Sequence, residues 1–371
     1  MKSPFGSSLS LFDRFLGLIE HTRGSDRFLL RIAFFAIIAT GIWSLILYSQ
    51  QYAELSPTRG GSFAEGIVGV PRFVNPVLAS TRADQDVTSL VYSGLMRIDT
   101  NGELINDVAE SINTSDDGLT YNIVLRKDIT FHDGSPLTAR DVAYTVRLIQ
   151  DPDLKSPLRG NWTNVMIEEI GEYELNIVLE EAYAPFIENF TTGIMPAHLW
   201  SNLSATELSF SQLNTEPVGS GPFMIAAAKR DTSGLINHYT LRAYRENNAD
   251  PKIDSIELFF YPKEEQLLIA LQEGDLDSTA YISNENLSEV ITGGRTLIEE
   301  PLPRIFGIFF NQNRSAALRD LAAREALTAA IDRDVLIETA LYGYGVPIER
   351  PTALGTTTLE STDGNEDTAT T

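Results

Sequence analysis

The sequence predicts a mixed α/β protein with more than one lobe, and three observations support this prediction. About 320 residues follow an apolar N-terminal segment, which is more than one hydrophobic core usually accommodates. The composition, 43% hydrophobic and 9% aromatic, is ordinary for a chain that buries a core. From Ser62 onwards, short strand and helix patterns alternate without an internal repeat.

The N-terminal region predicts a membrane anchor. Residues 32–48 contain no charge and cover about 26 Å as a helix, close to the hydrocarbon thickness of a bilayer. Lysine and arginine precede this run, so the positive-inside rule places residues 1–27 in the cytoplasm and the rest of the chain outside. We expect a single-pass transmembrane helix over 28–48, after a short interfacial helix over 8–20, and a linker over 49–61. A cleaved signal peptide and a buried core helix are the alternatives.

The first elements after the linker are predicted from local patterns. Residues 62–69 form an opening strand that leads to a turn at Asn75–Pro76, and a helix follows over about 84–94. Residues 95–105 form a hairpin, because Asn101–Gly102 is a strong signal for a two-residue turn.

The middle of the chain continues the alternation. Residues 119–126 have the composition of a strand. Thr138 and Asp141 have capping-box spacing, which predicts a helix that begins there and runs to about 150. Two further strands flank a turn at Gly171–Glu172.

The last third opens with a glycine-rich turn at 218–223. Strand patterns then occur at about 223–229, 235–244, 253–261 and 304–311. Helical patterns occur at 263–273 and 317–341. The threonine-rich tail over 351–371 is predicted to be disordered.

A search for reactive chemistry finds no convincing motif. The four histidines are isolated in sequence, which makes a zinc site or a non-haem iron site improbable. Ser220 lies between two glycines without the G-x-S-x-G spacing of a serine hydrolase, and a phosphate-binding loop is missing. No two carboxylates stand out as a glycosidase pair. We therefore expect a binding protein without a cofactor or a metal site rather than an enzyme.

Charge and cysteine content exclude further classes. The formal net charge of −23 repels nucleic-acid phosphates, so we expect no nucleic-acid partner. The chain has no cysteine, which excludes disulfides, thiolate metal sites and a lipid-modified N-terminal cysteine.

Six segments in a fixed order carry a more specific signal. They are GVPRFVNPVLASTRADQDVTSLVYSGLM at 69–96, DVAESINTSDDGLTYNIVLRKDITFHDGSPLTARDVAYTV at 107–146, GIMPAHLW at 193–200, VGSGPF at 218–223, LQEGDLDS at 271–278 and FFNQNRSAALRDLAAREALTAAIDRDVLI at 309–337. Over about 62–350 the chain resembles the oligopeptide- and dipeptide-binding receptors of bacterial ABC importers, the family 5 extracellular solute-binding proteins.

The resemblance implies a two-lobed, periplasmic-binding-protein-like clamshell with an inserted subdomain. The first lobe would comprise 60–91 and 185–262, the inserted subdomain 92–184, and the second lobe 263–350. Family members extend well beyond the position where this sequence stops, so we expect the second lobe to be incomplete and the chain to be a C-terminally shortened form.

The resemblance also implies a function. A membrane-tethered receptor would close over an extended peptide and deliver it to an ABC-type permease in the membrane. Pairing with the peptide main chain would suit varied sequences, because main-chain donors and acceptors are the same in every peptide. The positions that match ligand-contacting positions of the family are Ser80, Thr81, Arg82, Asn247, Tyr281 and Asn311.

Other functions remain open on the sequence. The same fold could bind a nickel chelate, an oligosaccharide or a signalling peptide, because fold does not determine ligand. A surface protein with a structural role and no transport, and an extracytoplasmic hydrolase, are the remaining alternatives.

Overall fold

The computed structural model describes residues 24–52, 58–247, 251–287, 290, 296–299 and 305–348. The chain divides into two units, Met1–Thr58 and Arg59–Thr371. The predicted interfacial helix over 8–20 and the predicted tail over 351–371 lie outside the described residues.

The first unit contains a 29-residue helix, α1, over Gly24–Tyr52. Its large apolar side chains are exposed, Phe35 and Trp43 among them. Within the described residues, no helix is both long enough and apolar enough to cross a membrane, which does not support the predicted anchor over 28–48.

The second unit alternates strands and helices. Its strands are β1 Ser62–Val68, β2 Met96–Ile98, β3 Leu104–Asn106, β4 Ala109–Thr114, β5 Thr120–Leu125, β6 Met166–Gly171, β7 Glu174–Val178, β8 Phe223–Arg230, β9 Ile236–Ala243, β10 Ser255–Tyr261 and β11 Ser278–Thr279. Its helices include α2 Arg82–Val91, α3 Ala139–Gln150, α4 Ala197–Trp200, α5 Ala205–Phe210, α6 Glu264–Glu273, α7 Leu321–Ala329 and α8 Arg333–Ala340.

A five-stranded mixed sheet has the order β11-β1-β10-β9-β8. Strand β1, second in this order, runs parallel to both β10 and β11, whereas β10, β9 and β8 are antiparallel neighbours. Alternation along β10 directs Ile256, Leu258 and Phe260 into a core with Val87 and Val91 of α2. Helix α6 packs against β1 and β10 through Leu267 and Leu271, so both α6 and β11 associate with this sheet.

A four-stranded antiparallel sheet has the order β4-β5-β7-β6. Its inward-facing residues, Ile123, Leu125, Leu175 and Ile177, are fully buried in the largest core of the chain. Helix α3 contributes Val142, Val146 and Ile149 to that core, as its amphipathic pattern predicts. The strand predictions for 119–126 and for both sides of Gly171–Glu172 are therefore confirmed.

The predicted start of α3 is also confirmed. Asp141 accepts hydrogen bonds at Oδ2 from the backbone N–H and the hydroxyl of Thr138, both at 2.9 Å. The helix begins at the next residue, Ala139.

The turn of the β2–β3 hairpin differs from the predicted two-residue turn. Asp99 donates its N–H to the Glu103 carbonyl oxygen, so three residues, Thr100, Asn101 and Gly102, lie between the paired positions. The Asp99 carboxylate accepts the N–H groups of Asn101 and Glu103 and stabilises the longer loop. Gly102 has a φ of 82°, the left-handed conformation that such a loop requires of its last residue.

One prediction near the C-terminus is wrong. Residues 305–311 form no strand, and Phe306, Ile308 and Phe309 are exposed there. A strand needs a neighbour for its backbone hydrogen bonds, and none pairs with this segment in the described part of the chain. The predicted helical region over 317–341 is confirmed and contains two α-helices, because Asp332 accepts the N–H of Val335 and starts α8 as a separate helix.

Candidate functional site

The segment between β1 and α2 contains three of the predicted ligand-binding residues. It begins with a buried turn, in which the Asn75 side chain accepts the Val77 N–H and donates to the side-chain oxygen of Asn214. Ser80, Thr81 and Arg82 follow at the exposed N-terminal end of α2. In the described part of the chain, the N–H and C=O of Ser80 form no hydrogen bond, and Ser80 as a residue is exposed.

The start of α2 is held by a capping box. Thr81 accepts the Asp84 N–H with its hydroxyl oxygen at 3.2 Å, and Asp84 accepts the Thr81 N–H with its carboxylate at 3.2 Å. The Asp84 carboxylate is buried and also accepts the N–H groups of Arg72 and Phe73, at 2.7 and 2.9 Å. This residue was not predicted, although Thr81 with Asp84 has the same capping-box spacing as Thr138 with Asp141.

Tyr281 meets this segment from a distant part of the sequence. Strand β11 pairs with β1 at Glu65–Ser278 and Gly66–Thr279. Just before it, Asp277 accepts the Ala64 N–H with its carboxylate and donates its own N–H to the Ala64 carbonyl oxygen. The Tyr281 ring then lies 4.7 Å from the Arg82 guanidinium carbon, in a cation–π contact.

Two carboxylates lie beside the Arg82–Tyr281 pair. Burial raises the pKa of Glu65, and the negative charge of Asp86 raises it further, while the Ala280 N–H opposes the shift. Burial also raises the pKa of Asp86, against the lowering effect of Arg82. Neither residue was predicted from the sequence; an acidic side chain inside a strand pattern was the available signal for Glu65.

The remaining predicted residues lie in other surroundings. Asn247 is buried; its side-chain amide donates to the carbonyl oxygens of Thr130 and Ser220, and its side-chain oxygen accepts the Thr130 N–H. Asn311 is exposed and closes its own turn by accepting the N–H groups of Asn313 and Arg314. The structure therefore brings Arg82, and with it the adjacent Ser80 and Thr81, next to the segment of Tyr281, while Asn247 and Asn311 are engaged elsewhere.

His132 connects the loop before α3 to the glycine-rich turn. Its Nδ1 accepts the Gly219 N–H at 3.3 Å, and its Nε2 donates to the Gly221 carbonyl oxygen at 3.0 Å. These partners select the neutral ring with its proton on Nε2. Burial lowers the pKa of His132, although the Gly221 hydrogen bond and Asp133 act in the opposite direction.

This geometry predicts a stability that decreases in mild acid. The folded-state pKa of His132 is lowered, so below about pH 6.5 the unfolded chain binds a proton that the folded chain does not. Because of His132, we expect the free energy of unfolding to fall by up to about 1 kcal/mol as the pH drops from 6.5 to 5.5. Urea unfolding of the wild type and of His132→Asn at both pH values measures this. An equal loss in both proteins would contradict the assignment.

A second histidine lies near a serine and an aspartate without forming a catalytic triad. Nε2 of His198 contacts both Oδ2 of Asp133, at 2.7 Å, and Oγ of Ser135, at 3.3 Å. A triad needs the serine and the aspartate on opposite ring nitrogens, so that one nitrogen takes the proton while the other is held. This trio cannot act as a proton relay.

One cavity of the structure lies away from the predicted ligand-binding residues. A cavity of about 520 Å³ is lined by Gln150, Arg159, Thr163, Asn164, Val165, Met166, Leu179 and Glu180, beside one end of the four-stranded sheet. None of these is a predicted ligand-binding residue. Within the described ranges, no three His, Cys, Asp or Glu side chains are grouped so that they could hold a metal ion.

Comparison with known families gives one matching family model. The model described as "Bacterial extracellular solute-binding proteins, family 5 Middle" matches residues 103–368. The oligopeptide-binding protein AppA of Bacillus subtilis is 28% identical over 302 residues, which cover 78% of this chain and 53% of AppA. The nickel-binding periplasmic protein of Escherichia coli is 26% identical over 275 residues, or 69% of this chain and 49% of that protein. The chain thus spans about half the length of these relatives.

Solved structures with the same fold include three solute-binding proteins. The ABC transporter substrate binding protein CtaP from Listeria monocytogenes has a TM-score of 0.65 and 29% identity, covering 76% of this chain and 57% of CtaP. AppA from B. subtilis, in complex with a nonapeptide, has a TM-score of 0.64 and 25% identity, covering 80% of this chain and 59% of AppA. NikZ from Campylobacter jejuni, in complex with Ni(L-His), has a TM-score of 0.60 and 25% identity, covering 78% of this chain and 57% of NikZ.

Proposed function

Because this chain belongs to the bacterial extracellular solute-binding proteins of family 5, we propose that it captures a peptide outside the cytoplasm and delivers it to an ABC-type permease. One structural observation carries the choice of site. Arg82, which directly follows Ser80 and Thr81, contacts Tyr281, which follows the strand β11 that pairs with β1, although the two segments are far apart in sequence. Four of the six residues that the family resemblance selected thus belong to two segments that meet at this contact.

The chemistry of this surface suits a peptide. The main-chain groups of Ser80 can pair with the main chain of a ligand regardless of the ligand's sequence. Tyr281 is 46% exposed and offers an aromatic surface, and Glu65 and Asp86 provide negative charge for an ammonium group. Arg82 offers a guanidinium to a carboxylate or to a main-chain carbonyl group.

We propose the lobes as follows. The first lobe comprises 60–91 and 185–262, and it extends through α6 and β11 because both associate with its five-stranded sheet. The inserted subdomain, 92–184, contains the four-stranded sheet. The second lobe begins after β11 and includes the described helices α7 and α8.

A nickel chelate is the second candidate ligand. It is favoured by the relatives whose names include nickel, the E. coli periplasmic protein and NikZ with its bound Ni(L-His). A chelate could use the same exposed surface, because its histidine carboxylate would suit Arg82.

Calorimetric titration of the full chain distinguishes these candidates. The probes are an equimolar pool of random nonapeptides and a nickel–histidine complex, each against a buffer control. Saturable heat with the peptide pool is expected. Heat with nickel–histidine alone would establish the second candidate. A folded sample, checked by circular dichroism, that gives heat with neither probe would overturn both.

The site makes a specific prediction for Tyr281. Replacement by alanine removes the aromatic surface and the partner of Arg82, and we expect about tenfold weaker peptide binding. Tyr183 is the control, because it is also an exposed tyrosine but belongs to a different part of the unit. Titration of Tyr281→Ala and Tyr183→Ala with the nonapeptide pool measures the difference. Similar affinities for the two variants would exclude Tyr281 from the site.

A further inference from the structure

We propose that Asp84 is a positioning residue for ligand capture, a role that rests on the proposed function. Its carboxylate holds the 72–82 segment in the conformation that presents Ser80, Thr81 and Arg82. Asp84 itself is 1% exposed, so it acts through the backbone of that segment rather than by touching a ligand.

The hydrogen bonds of Asp84 join both ends of the segment. Oδ1 accepts the N–H groups of Arg72 and Phe73, and Oδ2 accepts the N–H of Thr81. Helix capping alone requires only the Thr81 hydrogen bond. The two additional hydrogen bonds, at 2.7 and 2.9 Å, tie the start of the segment to the first turn of α2. A buried carboxylate with three backbone donors is a strong constraint, because charge-assisted hydrogen bonds are stronger than neutral ones.

An asparagine at position 84 cannot keep all three hydrogen bonds. A carboxylate has two acceptor oxygens, whereas a carboxamide has one oxygen and an NH₂ group. In either orientation, the NH₂ group of Asp84→Asn faces a backbone N–H: that of Thr81, or those of Arg72 and Phe73. The segment must then leave its conformation at one end. The apparent affinity falls in proportion as fewer molecules retain the binding-competent conformation.

Asp141 is a matched control within the same chain. It is also an aspartate at the third position of a threonine-capped helix, 5% exposed, with both oxygens used. Oδ2 accepts the two Thr138 donors, and Oδ1 accepts the Ala197 N–H at 2.8 Å. Asp141→Asn should therefore lower stability to a similar degree, but the Asp141 side chain hydrogen-bonds to Thr138 and Ala197 and to none of the residues 72–82.

Hydrogen exchange and calorimetry on the full chain test the proposal together. For Asp84→Asn we expect faster exchange over 72–82 in the free protein and about tenfold weaker binding of the nonapeptide pool. For Asp141→Asn we expect unchanged exchange over 72–82 and unchanged affinity. If Asp84→Asn does not fold, Asp84→Glu, which displaces both acceptor oxygens by one methylene, is expected to give the same directions.

The outcomes separate the two claims. Unchanged exchange over 72–82 in Asp84→Asn overturns the positioning role by itself, whatever the ligand. Equal loss of affinity in Asp84→Asn and Asp141→Asn also overturns it, because a general loss of stability would then explain both. A wild-type protein that binds no peptide overturns the proposed function, and the exchange result still reports on the segment.

Discussion

Replacing Phe190 by alanine is expected to lower the free energy of unfolding by about 3–5 kcal/mol. Phe190 is 1% exposed and packs edge-to-face on two other rings, Tyr121 at 5.2 Å and Phe186 at 5.6 Å between centroids. Removing the ring loses the transfer free energy of its burial. It also leaves a cavity that the surrounding rings cannot fill, which destabilises the fold further. Because Trp162 packs on Phe186, the effect extends across the core of the four-stranded sheet.

Phe210→Ala is the matched control for this substitution. Phe210 is 86% exposed, so the same chemical change there should shift the free energy of unfolding by no more than about 0.5 kcal/mol. Urea unfolding followed by circular dichroism measures both variants. Midpoints that shift equally would show that Phe190 is not part of a close-packed core.

Gly219→Ala is the second substitution with a large expected effect, about 3 kcal/mol of unfolding free energy. A Cβ at this position would lie 2.0 Å from the Val91 carbonyl oxygen and 2.8 Å from the Val91 carbonyl carbon. Both are backbone atoms at the end of α2, so relief requires that the helix and the glycine-rich turn move apart. That movement would also disturb the hydrogen bond from the Gly219 N–H to His132.

Gly160 provides the comparison for Gly219. A Cβ at Gly160 meets no atom within 4 Å, and its φ lies outside the left-handed region, so Gly160→Ala should be nearly neutral. Thermal and urea unfolding of the two variants measure the contrast. Indistinguishable stability of Gly219→Ala and the wild type would mean that the close approach of the turn to α2 is absent in solution.

Local patterns predicted much of the secondary structure. The strands at 223–229, 235–244 and 253–261 and the helix at 263–273 are all present, within one to two residues at their ends. They were predictable because the alternation of apolar side chains in a strand and their helical spacing are properties of neighbouring residues. Residues 304–311 have the same kind of pattern, yet the described residues 305–311 form no strand, which shows that a pattern without a pairing partner is insufficient.

The candidate site was only partly predictable. The family resemblance selected Arg82 and Tyr281, and the structure brings them into contact. It also selected Asn247, whose side-chain amide donates hydrogen bonds to the carbonyl oxygens of Thr130 and Ser220. Asp84, Glu65 and Asp86 were missed, because their significance depends on burial and on neighbours that no local pattern specifies.

The amino-acid sequence alone determined the family, the mixed α/β class, the positions of most strands and helices, and the cap of α3. Only the tertiary structure decided that β1 lies between β10 and β11, that Tyr281 reaches Arg82, and that the Asp84 carboxylate ties Arg72 and Phe73 to Thr81. The physical reason is the range of the interactions. Side-chain periodicity and helix caps arise between residues a few positions apart, whereas sheet pairing, ring contacts and the burial of a carboxylate depend on segments that only folding brings together.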